Sequence, residues 1–402
     1  MPLQEKVLSL RLLMKYWLHI LFIVFLSAFN MSAEGTGVVH NIGADVRPSY
    51  ILPTHGFYNG YNPSGRPLRT GGSMHLGYSF SYSPDSRVGR EFPGAYQGVG
   101  VGVQTFMAHE ALGTPVMLYL FQGAPFARLS DYISLDYEWN LGLSAGWKPN
   151  EYLLTGSRQN VYINVGLFLT WRLDKAWDIR IGPEYTHFSN GDTVFPNGGA
   201  NTFNFRVGAR RYFNRKDNIC SRPRVFELTE QKQDFRSALS YDIILYGSWR
   251  ADRMSFNKKL YLINDKFLVA GLQFNPLYHL NHCLSFGPSL DLMYDRSADL
   301  IASEVVNNKL VYAYPSFDKQ CAFGLSLRGE LSMPIFSVNV GGGYNFTSGS
   351  DDLEGLYGIF MLKAFLSDSL FINVGYRLSA VLYSHNLMFG LGWRINRKES
   401  YN

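Results

Sequence analysis

The sequence predicts an all-β protein, a transmembrane antiparallel β-barrel of the outer-membrane type. Aromatic residues make up 15% of the 402 residues, and 39 residues are glycine. Many short segments alternate between apolar and polar residues with a period of two, which is typical of strands with one apolar face. Outer-membrane barrels spread their apolar residues over the lipid-facing side of each strand in this way.

Residues 1–33 are predicted to be a secretory signal peptide. Lys6, Arg11 and Lys15 precede the apolar run "WLHILFIVFLSAF", and small residues follow it around Ala33. A basic start, a short apolar centre and small residues near the cleavage site are the features of such a signal. We therefore expect an exported chain that is cleaved near Ala33.

The alternation is clearest in residues 133–147. The odd positions carry Ile, Leu, Tyr, Trp, Leu, Leu, Ala and Trp, whereas the even positions carry Ser, Asp, Glu, Asn, Gly, Ser and Gly. The same parity predicts that a set of charged side chains points inward: Asp136, Glu138, Arg172, Arg180, Glu184, Arg206 and Arg210. Because an eight-strand barrel barely has room for its own side chains, these charges should pair and fill it.

Applied along the chain, the period of two predicts two sets of about eight strands. The first set lies near 39–52, 72–83, 96–106, 115–126, 132–147, 160–173, 176–189 and 201–213. The second lies near 237–250, 266–278, 283–294, 321–332, 335–346, 356–366, 371–383 and 386–396. The predicted organisation is a barrel domain at 34–213, a linker at 214–236 and a second barrel-like region at 237–402. Two tandem eight-strand units are favoured, and one barrel of about sixteen strands is the alternative.

Composition argues against several other classes of protein. Cys220, Cys283 and Cys321 are widely spaced, so they predict neither a disulfide framework nor a metal site. The net charge of +5 is modest, and no basic run interleaved with aromatics indicates a nucleic-acid partner. We expect no metal, no cofactor and no nucleic acid.

One stretch, "YTHFSNGDTVFPNGGAN" at 185–201, has the pattern of a hydrolytic site. His187 and Ser189 continue the apolar, outward-facing row of their strand, and pairing with the next strand should place Asn201 beside them. A serine next to an imidazole is the usual arrangement for cleaving an ester. The side chain of Asn190, or the loop glycines that begin with Gly191, could stabilise the oxyanion.

The longer motif "HFSNGDTVFPNGGANTFNFRVGARRYF" resembles the lipid A 3-O-deacylase family of outer-membrane barrels and the related acyloxyacyl-hydrolase-like proteins. The resemblance covers about residues 40–213, and we see no counterpart in 214–402. It rests on His-x-Ser-Asn, on the Pro-Asn-x-Gly loop formed by Pro196, Asn197 and Gly198, and on the alternating final strand.

The resemblance implies roles for individual residues. Ser189 would be the nucleophile, His187 the base and Asn190 the oxyanion support, with no metal or cofactor. The orienting acid of the family falls on Asn201, which is not an acid here, and Glu184 and Asp192 are the nearby alternatives. An asparagine can still orient an imidazole by accepting a hydrogen bond from its N–H group.

The expected function is removal of an ester-linked acyl chain from lipid A at the lipid-facing surface of the barrel. The expected partners are lipopolysaccharide and the outer membrane of a Gram-negative bacterium. The sequence is also compatible with a homodimer. The alternative is a barrel without enzymatic activity, either a porin or a structural surface protein.

Overall fold

The structure is a computed structural model that describes residues 37–149, 154–216, 239–347, 349–379 and 385–396. The predicted signal peptide and nearly all of the predicted linker lie outside the described residues. No helix in the described ranges is long and apolar enough to span a membrane.

The first half forms a closed antiparallel barrel in which each strand pairs with its neighbours in sequence and β1 pairs with β8. Its strands are β1 (Val38–Ile51), β2 (Thr70–Tyr82), β3 (Tyr96–Thr105), β4 (Gly113–Arg128), β5 (Ile133–Trp147), β6 (Gln159–Arg172), β7 (Trp177–Ser189) and β8 (Ala200–Tyr212). Its connections contain a 3₁₀ turn at Gly56–Asn59 and the short helices α1 (Arg87–Glu91) and α2 (His109–Leu112).

The second half forms another closed barrel, of β9, β10, β11 and β14 to β18, with β9 pairing β18. The strands of this half are β9 (Leu239–Phe256), β10 (Lys259–His279), β11 (Leu284–Asp295), β12 (Ile301–Val306), β13 (Lys309–Ala313), β14 (Cys321–Ser332), β15 (Phe336–Thr347), β16 (Gly355–Phe365), β17 (Leu370–Ser379) and β18 (His385–Asn396). A 3₁₀ turn, Phe317–Gln320, precedes β14. The prediction of two eight-strand units is confirmed, whereas the predicted domain limits stay predictions.

Two segments that lie between the predicted strands of the second half form hairpins. β9 and β10 extend through residues 251–265, and β12 and β13 form a separate two-stranded sheet within 295–320. Asn257 and Lys258 have φ of 51° and 62°, and Asn307 and Asn308 have φ of 50° and 60°. Two successive residues with positive φ make the tight hairpin turn whose twist matches the flanking strands. The Asn-Lys and Asn-Asn pairs therefore mark these turns in the sequence, and a period of two does not reveal them.

The interior of the first barrel is filled by charges, as parity predicts. Glu138 is ion-paired with Arg180 at 2.8 Å, with Arg206 at 2.6 Å and with Arg210 at 2.7 Å. All four side chains are buried. Because these ion pairs occupy the lumen, the described interior argues against the porin alternative.

The two barrels pack against each other along their outer faces. Trp139 on β5 and Phe336 on β15 both project outward, and their rings lie 5.4 Å apart, nearly perpendicular. Gln122, on the outer face of β4, is fully buried beside them and accepts a hydrogen bond from Trp139 Nε1 at 2.8 Å. A buried polar side chain on this face is favourable only with such a partner.

Candidate active site

His187 and Ser189 occupy the last outward positions of β7. The two side chains are half-buried, whereas the even-numbered neighbour Phe188 is buried in the barrel interior. The Phe188 ring packs against Trp147 at 5.2 Å and Tyr162 at 5.4 Å. This inward anchor fixes the end of the strand, so His187 and Ser189 must face outward on the same row.

Strand register places Asn201 directly opposite His187. Asn201 Oδ1 lies 2.7 Å from His187 Nδ1 and also accepts a hydrogen bond from the Tyr185 hydroxyl at 2.7 Å. Its Nδ2 donates to Thr54 Oγ1 at 3.1 Å. With the amide oriented in this way, Nδ1 of His187 carries the proton and Nε2 is free to act as an acceptor.

Ser189 Oγ accepts hydrogen bonds from two donors. The Gly191 N–H group donates to it at 3.0 Å, and Asn197 Nδ2 donates to it at 3.2 Å. Within the described residues these are its hydrogen bonds, and none joins Ser189 to His187. Contacts of this kind often tighten only when substrate binds.

The structure differs from the sequence expectation at Asn190. Its side chain is buried, and Nδ2 donates to Val194 O at 2.8 Å, within the same loop, instead of pointing at Ser189. Parity explains the difference, because position 190 continues the inward row of β7. The side chain expected only as part of the loop, Asn197, supplies the amide donor instead.

Backbone contacts hold Pro196, Asn197 and Gly198 against the β5–β6 connection. Pro196 O accepts from Gly156 N at 2.7 Å, and Gly198 N donates to Leu154 O at 2.7 Å. Asn197 Oδ1 accepts from Asn190 N at 3.0 Å, which turns its Nδ2 toward Ser189.

Neither of the two nearby carboxylates, Glu184 and Asp192, forms a hydrogen bond with His187. Glu184 points into the barrel and is ion-paired with Arg47 at 3.1 Å and Arg206 at 2.8 Å. Asp192 accepts from Asn197 Nδ2 at 2.9 Å. Asn201 is therefore the residue that contacts the imidazole, and Asp192 orients Asn197.

Tyr185 and Thr54 were missed by the sequence analysis. Tyr185 stands two residues before His187 on the same outward row, so parity could have placed it beside the site. Thr54 follows β1, and only the closure of β1 on β8 brings it to Asn201. In the part of the chain that the structure describes, no group of three or more His, Cys, Asp or Glu side chains is arranged to hold a metal ion.

The fold and this cluster define an outer-membrane-type barrel that carries a candidate serine-hydrolase site. The family model for lipid A 3-O-deacylase (PagL) matches residues 131–210, and the model for the acyloxyacyl hydrolase C-terminal domain matches residues 239–397. The chain belongs to this lipid A 3-O-deacylase family, and it is an ester hydrolase of the Gram-negative outer membrane. The second match corrects the expectation that residues 214–402 have no counterpart in the family.

Other comparisons add little. A search among curated proteins finds no match. An outer membrane channel from Pseudomonas putida F1 is 12% identical, with 90% of this chain and 97% of that chain covered and a TM-score of 0.18. Outer membrane phospholipase A from Escherichia coli is 8% identical, with 90% and 93% covered and a TM-score of 0.15. At these scores the likeness carries no argument, and the fold rests on the strand pairing.

Proposed function

We propose that this chain removes an ester-linked acyl chain from lipid A by a Ser189–His187 mechanism on the lipid-facing side of the first barrel. The observation that carries the proposal is the cluster of His187, Ser189, Asn201 and Asn197 where β7, its following loop and β8 meet. A substrate embedded in the outer leaflet would reach these outward side chains without leaving the membrane.

In the proposed reaction, His187 Nε2 takes the proton of Ser189 as Oγ attacks the ester carbonyl carbon. The Gly191 N–H group and Asn197 Nδ2, which donate to Ser189 Oγ in the structure, would turn to the ester carbonyl oxygen as it becomes negative. The tetrahedral intermediate then collapses, and the His187 imidazolium gives its proton to the departing alkoxide oxygen, which leaves as an alcohol. Water hydrolyses the acyl-enzyme by the same steps, which releases the fatty acid and restores Ser189.

Mass spectrometry of lipid A tests this proposal. Cells that produce the wild type should lose one acyl chain from lipid A, and cells that produce Ser189→Ala at the same level should not. An unchanged lipid A pattern, with the wild type abundant and folded in the outer membrane, would overturn it.

The role of Asn201 gives a second prediction. Asn201→Ala should lower kcat about 10²-fold, because His187 loses the acceptor that orients it as a base. Asn201→Asp should retain at least the wild-type kcat, since the Tyr185 and Thr54 hydroxyls can both donate to a carboxylate. Initial rates of fatty-acid release from purified lipopolysaccharide in detergent would measure both. A wild-type kcat for Asn201→Ala would exclude the orienting role.

A further inference from the structure

The loop between β7 and β8 is held by the second barrel as well as by the first. Asp192 O accepts a hydrogen bond from the Ala251 N–H group of β9 at 2.8 Å. The side chain of Asn264 on β10 forms two hydrogen bonds with the Phe195 backbone. Its Oδ1 accepts from Phe195 N at 2.8 Å, and its Nδ2 donates to Phe195 O at 3.2 Å. The loop that supplies both donors to Ser189 is therefore tied to the C-terminal half of the chain.

A β-bulge makes these contacts available. Asp252 pairs with Ile263 and Arg250 pairs with Phe267, so Ala251 alone stands opposite the three residues 264–266. The ladder is interrupted there, and the Ala251 N–H group and the Asn264 side chain turn to the first barrel instead. Bulges commonly redirect a side chain in this way beside functional sites.

Leu387 of β18 forms the third contact. Gly191 has φ of +64°, and a Cβ placed on it would lie 2.4 Å from Leu387 Cγ. Leu387 is 8% exposed, whereas Leu391 on the same outward row is 52% exposed. Leu387 thus packs directly on the residue whose N–H group donates to Ser189.

We propose that Ala251, Asn264 and Leu387 form a brace by which the second barrel fixes the catalytic loop of the first, and that Asn264 is a positioning residue for the reaction. This inference rests on the proposed function, because it assigns the brace to the donors of that site. It also gives the C-terminal barrel a role in the reaction, because that barrel supports the β7–β8 loop within the same chain.

The physical reason is preorganisation. Hydrogen-bond donors stabilise an oxyanion most when they already point at it and need no rearrangement during the reaction. A loop fixed on one side only would sample other positions, and a misplacement of about 1 Å can cost about 10²-fold in rate. The second barrel contacts the loop at Gly191, Asp192 and Phe195, and the first barrel contacts it at Pro196 and Gly198. Together these contacts hold the Gly191 N–H group and limit the movement of Asn197.

Kinetics of Asn264→Ala in the full-length protein test the brace. We expect kcat for fatty-acid release from lipopolysaccharide to fall at least about tenfold with little change in KM, because the donors matter most in the transition state. The rate at which a lipophilic organophosphonate labels Ser189 should fall in parallel. Glu304→Ala, an exposed side chain on the adjacent β12–β13 hairpin, is the control and should match the wild type in both measurements.

A double variant separates positioning from general loss of structure. If Asn264 acts through the loop, Asn197→Ala combined with Asn264→Ala should lose less than the product of the two single effects. Should Asn264→Ala fail to fold, Leu387→Ala removes another contact of the brace and should lower kcat and labelling in the same way.

The possible outcomes distinguish the two proposals. Wild-type kcat and labelling in folded Asn264→Ala and Leu387→Ala, with Ser189→Ala inactive, would overturn the brace and leave the proposed function standing. Absence of fatty-acid release by the folded wild type would overturn the proposed function itself.

Discussion

Ser189→Ala and His187→Ala are each expected to lower kcat by about 10⁶-fold, the size of the loss when a serine nucleophile or its base is removed. Without Oγ there is no atom to form the acyl-enzyme, and without the imidazole nothing takes the Ser189 proton. KM should change little, since neither side chain is expected to contribute much to binding the acyl chains. Initial rates with purified lipopolysaccharide in detergent would measure these effects.

The two residues should act as one unit. The double variant Ser189→Ala/His187→Ala is therefore expected to be no slower than either single variant. His109→Ala and Ser303→Ala replace exposed residues of the same types outside the His187–Ser189 cluster and should retain wild-type kcat. Independent, multiplying losses in the double variant would contradict a shared step.

Glu138→Ala is expected to destabilise the first barrel by about 3–5 kcal/mol, the usual cost of leaving a buried charge without its partner. The variant removes the carboxylate that is ion-paired with Arg180 and Arg210, while Arg206 keeps Glu184. The guanidinium groups stay buried inside a closed barrel, so water cannot fully replace the lost carboxylate.

Equilibrium unfolding in denaturant, with the protein in lipid vesicles, would measure this loss of stability. Asp131→Ala is the matched control, because Asp131 is an exposed acid paired with Arg128 at the opposite end of the barrel from the site. An exposed ion pair contributes only about 0–1 kcal/mol. Equal stability of Glu138→Ala and Asp131→Ala would show that the interior charges do not hold the barrel together.

The predictions from the sequence and the matches to the family models agree most closely around the site, and less closely in the rest of the chain. The motif from His187 to Gly198 predicted the family, and the family model covers it. In the second half no catalytic motif stands out, because that half has mainly the alternation common to all barrels, yet it matches the C-terminal domain of the same family.

The sequence by itself determined which side of each strand faces outward. Where a strand is regular, a period of two assigns each side chain to one of two faces. The outward directions of His187 and Ser189, and the inward directions of Glu138 and Arg210, therefore follow from local order alone. The pairing of Asn201 with His187 followed as well, because a hairpin joins two consecutive strands. These predictions need only neighbours along the chain.

Only the tertiary structure decided which distant groups complete the site. Thr54 reaches Asn201 through barrel closure, and Asn264 reaches Phe195 across two barrels. The orientation of Asn197 toward Ser189, and of Asn190 away from it, depends on how an irregular loop folds. Loops have no periodicity to reveal their side-chain directions, and long-range contacts leave no local pattern, so these positions could be known only from the folded chain.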